Sequence, residues 1–232
     1  DGNGWNFSNN YGVEGPTKKR YINKLRKLKW RNSMAMLFLA QGVPLVWSGD
    51  EISNSQQGNN NAYCQDNPVG WVNWKNEKTH RKEIRFLEQL AQFRREHPIV
   101  ANEMPFQFSD YRSYGSPDLS FHGESAWILE PSEGRMALGM MYNGAYSTDE
   151  RYKEDVYVAY NFYSAASTLA LPKLDKDKHW YLVMDTSDDE MPFLEKAVLQ
   201  DRGNIVLKAQ SICVLVGRSE QKEGKRKVKE GK

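Results

Sequence analysis

Five consecutive residues constrain this chain more than any other feature: Val43-Pro44-Leu45-Val46-Trp47. They form a short apolar run without polar alternation. That pattern belongs to a strand buried on both faces, as in a parallel sheet. A strand of this kind needs hydrogen-bonded neighbours on both sides, and the first hundred residues offer no other strand. The expectation is a fragment of a larger α/β assembly whose remaining strands lie outside this sequence.

The flanking sequence fits that expectation. Residues 1–17 are polar and rich in Gly and Asn, which is loop composition. From Pro16-Thr17 a helical pattern begins, with Ile22, Leu25, Leu28, Ala35 and Leu39 recurring on one face. The reading is a helix over 18–41, with Thr17 as its cap, Gly42 as its C′ stop and Pro44 barring continuation. A polar loop runs from Ser48 to Lys75, long enough that loops of its kind are usually functional or disordered. A second helix follows from about Asn76, its cap, to Glu96, with Ile84, Leu87, Leu90 and Ala91 on one face. Helix, strand, long loop and helix read together as the last turn of a larger β/α barrel, in which the loops after the strands build the active site.

After Pro98 the texture changes. Short alternating runs appear: Val156-Val158-Tyr160, Tyr181-Val183, Ile205-Leu207 and Ile212-Val214-Val216. Turn residues separate them, the pattern of an antiparallel β domain, read as a sandwich over 100–217. The organisation is thus an α+β fragment: 1–99 a barrel remnant, 100–217 a β-sandwich, 218–232 a basic disordered tail. That tail holds seven Lys/Arg and three Glu, a net of +4, so the body carries 2 − 4 = −2. A body without basic surplus gives nucleic acid no footing. No stretch approaches the ~20 apolar residues of a membrane span. Cys64 and Cys213 fit no zinc or redox spacing and read as free thiols in a reducing, cytoplasmic compartment.

The usual catalytic motifs are missing. There is no complete G-x-G-x-x-G, no P-loop, no H-E-x-x-H and no G-x-S-x-G, and the four histidines are scattered. No cofactor and no metal site are expected. Asn6-Phe7-Ser8 matches a glycosylation sequon, of little weight alone. Asp50-Glu51 is an adjacent carboxylate pair, but neighbours on extended backbone point apart. Hydrogen bonding or bracing suits the pair better than acid/base catalysis. Glu14 can bind a glycan hydroxyl or brace its loop. The amide-rich run Asn59-Asn60-Asn61-Ala62-Tyr63-Cys64-Gln65-Asp66 offers donors and acceptors for hydroxyls, or simply turn-forming asparagines.

Taken in order, these segments resemble one family. They are Tyr11-Gly12-Val13-Glu14-Gly15-Pro16-Thr17, Leu25-Arg26, Arg31-Asn32, Gln41-Gly42-Val43-Pro44-Leu45, Gly49-Asp50-Glu51, Gln57 to Asn67, and Trp71-Val72-Asn73-Trp74. The series is similar to the glycogen-debranching, isoamylase-type branch of the α-amylase superfamily. Ser116 to Gly123, Val156 to Phe162, Leu169 to Pro172 and Trp180 to Thr186 resemble that branch's C-terminal β domain. The resemblance implies hydrolysis of α-1,6 branch linkages in glycogen, amylopectin or limit dextrins with retention. An Asp nucleophile, a Glu acid and a second Asp would act after barrel strands four, five and seven. All three positions fall upstream of Asp1, so no catalytic residue carries over and the chain is expected to be inactive alone.

What carries over is a set of groove-lining or groove-bracing candidates: Glu14, Asp50, Glu51, Asn59, Asn60, Asn61, Tyr63 and Cys64. Ile52-Ser53-Asn54-Ser55 and Asn67-Pro68-Val69-Gly70 depart from the family's usual sequence, which leaves the exact substrate open. The expected partners are an α-glucan and the missing N-terminal barrel segment, with self-association through the exposed barrel surface. Two other readings compete. One is a non-catalytic glucan-binding module with Trp127, Tyr142 and Trp180 as exposed platforms. The other is one half of a split enzyme.

Overall fold

The structure, a computed structural model, describes residues 4–5, 7–129, 136–149, 151–175, 177–200 and 203–219. The Asn6 sequon and residues 220–232 of the basic tail lie outside them. Two helices, α1 (Arg20–Leu39) and α2 (Arg81–Glu96), precede eight strands. These are β1 (Leu119–His122), β2 (Ala137–Tyr142), β3 (Asp155–Asn161), β4 (Ser167–Ala170), β5 (Lys178–Asp185), β6 (Phe193–Gln200), β7 (Asn204–Leu207) and β8 (Ile212–Ser219). Arg218 and Ser219 therefore complete a strand and do not start the tail.

Six strands form one antiparallel sheet in the order β1-β2-β3-β8-β5-β6, and β4 pairs with β7 in a second. Strands β3 and β8 sit centrally and pair from Val156↔Val216 to Tyr160↔Ile212. Both are buried along nearly their whole length because both faces are covered. On one face Val156, Val158, Ile212, Val214 and Val216 meet Ala35, Phe38 and Leu39 of α1 and Phe86, Leu90 and Phe93 of α2. On the other, Tyr157, Ala159, Cys213 and Leu215 meet Leu169 of β4 and Ile205 and Leu207 of β7. The order is helices, large sheet, small sheet, and the first hundred residues share a core with the rest. Gly139 permits a close approach in the second layer. A Cβ there would lie 1.9 Å from the Tyr157 hydroxyl, which donates to the Ala170 carbonyl at 2.8 Å.

A polar joint fixes α1 to the sheet. Arg31 and Asn32 are both buried, although they are charged and polar. The Arg31 guanidinium donates to the Thr186 carbonyl at 2.9 Å and to Asp189 at 2.7 Å. The Asn32 amide donates to the Gln210 carbonyl and accepts from the Thr186 hydroxyl, both at 2.7 Å. Thr186 Oγ1 in turn accepts the Ile212 amide at 2.9 Å. Every group in this joint has a partner, which is the condition for burying it without heavy cost.

Several expectations need correction. Val43–Trp47 is not a strand: it runs as irregular chain, with Val43 94%, Leu45 82% and Trp47 72% exposed. A single strand cannot satisfy its own backbone, and the described residues supply no neighbour for it. Helix α1 ends at Leu39 because Ala40 turns extended, not through a left-handed Gly42. Its last carbonyls are taken by Arg94 of α2, which donates to Phe38 and Ala40 at 2.6 Å and to Gly42. Thr17 stands before the helix and accepts the Lys19 amide at 3.2 Å. Asn76 does not cap α2; it lies in a 3-10 turn, Trp74–Lys78, and His80 precedes the helix. Of the proposed platforms, Tyr142 and Trp180 are core residues, Trp180 donating to the Pro172 carbonyl at 2.7 Å, and only Trp127 is exposed.

His122 is a buried ring whose tautomer follows from geometry. The Trp127 amide can only donate, so Nδ1 accepts it at 2.8 Å and the proton sits on Nε2, facing Ser120 Oγ at 2.9 Å. Burial pushes the imidazole down to about 4 from 6.5. Between those values the unfolded chain binds the proton and the folded chain does not.

Two outcomes test this description. Asn32→Ala removes the amide bridge and strands the Thr186 hydroxyl, and should cost about 2–4 kcal/mol in urea unfolding. The His122 contribution should be complete above about pH 6.5 and lost as pH falls toward 4, on the order of 2 kcal/mol. Unfolding titrations at pH 7 and 4.5 should show a smaller pH dependence in His122→Gln than in the parent chain.

Candidate functional site

Two loops carry the candidate residues, and the structure brings them together. Residues 7–19 form the first. Arg26 of α1 organises it: the guanidinium donates to the carbonyls of Asn10 at 2.8 Å, Val13 at 2.5 Å and Gly15 at 2.9 Å. A planar fork of donors suits several carbonyls converging at once. Glu14 is held by the Asn10 amide at 2.7 Å. Its other oxygen faces the second loop, 3.6 Å from where a Cβ would stand on Gly58.

The second loop, 48–74, folds back on itself through its own polar groups. Asp50 accepts the Trp47 amide at 3.1 Å, and Glu51 accepts the Gly49 amide at 2.9 Å. The Asp50 carbonyl takes the Trp30 indole N–H at 2.9 Å, which ties the loop to α1. Both carboxylates thus hydrogen-bond backbone amides of the turn after Trp47. Asn54 spans the loop, accepting the Asn73 amide at 3.0 Å. Farther out, Asn59 Oδ1 accepts the Asn61 amide at 2.8 Å and Asn67 Oδ1 the Val69 amide at 2.9 Å. These are turn-forming asparagines bonded to backbone two residues on. Gly70 packs against the Gln65 carbonyl, where a Cβ would stand 2.4 Å away, so only glycine fits.

Asn60, Tyr63 and Cys64 lie exposed at the tip, Tyr63 almost fully, and Asn61 is half-buried. The structure therefore brings Glu14 to Gly58, at the start of the amide-rich run, and leaves Asp50 and Glu51 nearer the base of the loop. Tyr63 presents an open ring, and a pyranose packs its C–H face on such a plane. Among the described residues no group of three or more His, Cys, Asp and Glu converges as metal ligands. Among them, too, no helix is long and apolar enough to cross a membrane. Both cysteines are free, Cys64 exposed and Cys213 buried. The residues missed as candidates are the braces Arg26, Asn54 and Trp71, whose indole donates to Asp66 at 2.9 Å. A guanidinium seven residues into a helix gives no sequence sign of gripping a loop before it.

No protein-family model matches the chain. Individual relatives do. The glycogen debranching enzyme of Serratia proteamaculans is 32% identical over 93% of this chain and 29% of its own length. Chloroplastic isoamylase 1 of Arabidopsis thaliana is 32% identical over 81% of this chain and 22% of its length. These relatives bear out the resemblance of the chain to the debranching, isoamylase-type branch of the α-amylase superfamily. The chain spans less than a third of the length of these debranching relatives. The fold agrees: Bacillus subtilis type I pullulanase, crystallised with maltose, superposes with a TM-score of 0.61 at 19% identity over 82% of this chain and 23% of that one.

Gly70→Ala should loosen the tip of the second loop while leaving the sheet intact. About 1.4 kcal/mol of local destabilisation corresponds to roughly tenfold faster proteolysis within 55–70. The global unfolding midpoint should be almost unchanged.

Proposed function

We propose that this chain is the C-terminal part of a glycoside hydrolase that cleaves α-1,6 branch linkages of glycogen, amylopectin or limit dextrins. In this reading residues 1–99 close a (β/α)8 catalytic barrel and 100–217 form its β-sandwich domain. The substrate groove is bordered by the two loops carrying Glu14, Asn59, Asn60, Asn61, Tyr63 and Cys64, with Asp50 and Glu51 bracing them. The catalytic carboxylates belong to the preceding barrel strands, so the chain is inactive alone. An α-glucan is the ligand of the complete site. Two separate, unpaired thiols fit a reducing, cytoplasmic setting.

One observation carries the reading. Val43, Leu45 and Trp47 lie exposed on an apolar run that pairs with no strand among the described residues, directly before a loop that is already braced and folded. It has the composition of a buried strand and the surroundings of none. Neighbouring barrel strands would supply the missing hydrogen bonds and cover its side chains. The binding-module alternative loses two of its three platforms, because Tyr142 and Trp180 are buried.

The test is reducing-end release from glycogen by the purified chain, alone and mixed with the upstream barrel segment. No release alone and release on mixing is the expected result. Release by the chain alone would overturn the reading. The exposed run also predicts self-association: sedimentation should show mass rising with concentration, and Leu45→Lys with Trp47→Lys should suppress it.

A further inference from the structure

Away from the two loops, a cleft of about 200 Å3 opens between α1, α2 and the turn joining β5 to β6. Its apolar wall is Trp30, Phe86 and Phe193. Its charges balance, four basic and four acidic side chains. Most are already matched: Arg31 with Asp189 at 2.7 Å, Lys82 with Glu190, and Lys27 with Glu83 at 3.1 Å. With its charges balanced and most of them paired, the cleft offers an ionic ligand no net charge.

Glu83 is the anomaly in this cleft. Only 8% of its side chain is exposed, and while one oxygen meets Lys27 the other, Oε2, has no hydrogen-bond partner among the described residues. It occupies the third position of α2, where a Glu can reach back to the amide before the helix. That amide, on His80, is instead taken by the carbonyls of Asn76 and Glu77. A buried acceptor without a donor is costly. Lys27, about half exposed, is its cover on the solvent side. Glu83, Lys27 and Trp30 also wall a second cleft, of about 310 Å3, that reaches Ser53 at the base of the long loop.

We propose that the cleft at Glu83 is an accessory sugar site that takes one glucosyl unit of an α-glucan, with a ring hydroxyl donating to Glu83. The choice of glucan rests on the debranching reading. The features of the cleft set the class: a neutral polar ligand, hydroxyl donors for an orphaned acceptor, and an apolar ring face for the aromatic wall. Its volume is below the roughly 300–1,000 Å3 of drug-sized pockets, so one ring enters and the chain continues outside. Lys27 swings aside as the ring enters. The site is separate from the groove and would hold polymer near it.

The test is a maltose titration of the purified 232-residue chain, followed by the indole N–H resonance of Trp30, assigned with Trp30→Phe. Maltose should shift that signal saturably and sorbitol, which has no ring face, should not. Glu83→Leu should weaken the affinity at least tenfold and raise the melting temperature, because it replaces a costly carboxyl with an apolar side chain. If the leucine variant does not fold, Glu83→Gln carries the test, with a several-fold loss expected. Maltose shifts that survive either substitution would overturn the proposal, as would a lower melting temperature in Glu83→Leu, which would mark the carboxyl as structural. Maltose shifts confined to other tryptophans would overturn it and leave the debranching reading standing. Conversely, Glu83-dependent binding without activity on reconstitution would support the sugar site and count against that reading.

Discussion

The buried joint of Arg31, Asn32 and Thr186 holds the two parts of this molecule to one another. Without it, α1 would lie on the sheet mainly through apolar contact, which resists separation but permits sliding. The joint fixes register because each donor has its own acceptor: the Asn32 amide with the Gln210 carbonyl, the Thr186 hydroxyl with Asn32 Oδ1, and Arg31 with the Thr186 carbonyl and Asp189. Thr186 also receives the Ile212 amide, so the same hydroxyl links helix, β5 end and β8. Directional bonds in a closed environment are strong when complete and expensive when broken. The position of α1, and of everything α1 holds, is set there.

From α1 the constraint passes outward to the loops. Arg26 gathers the carbonyls of residues 10–15, and Trp30 holds the carbonyl of Asp50. Arg94 of α2 takes the carbonyls at the end of α1 and steers the chain into Val43–Trp47. The two candidate loops are therefore mounted on helices that are themselves mounted on the sheet. Loops fixed by a rigid scaffold are the usual carriers of binding residues. Here their tips, with Tyr63 and Asn60, stay open while their bases are closed.

Much of this was legible in the sequence, for identifiable reasons. Helical spacing found α1 and most of α2. Alternation found β3, β5, β7 and β8, since residues such as Val156 and Val158 share one face. It did not find β6, where Val198 and Leu199 are both substantially exposed on the sheet's edge. Nor did it find β2, whose Leu138-Gly139-Met140-Met141 run hides its period behind a glycine placed for Tyr157. Tyr142 and Trp180 misled because an aromatic has the same name in a core and on a platform. Asn59 was readable as a turn former from composition, and its side chain accepts the Asn61 amide; Asn67, which does the same for Val69, was not.

The sequence alone determined the local propensities: where helices and alternating strands form, which loops are polar, and which family the ordered motifs resemble. Only the tertiary structure decided what those elements pack against. Val43–Trp47 has a strand's composition, but strand formation needs a partner backbone, and composition cannot supply one. Arg31 and Asn32 look like a solvent-facing pair on a basic helix, yet they are buried because Thr186 and Asp189, more than a hundred and fifty residues away, meet them. Periodicity is encoded locally; the pairing of distant polar groups is settled when the helices close on the sheet.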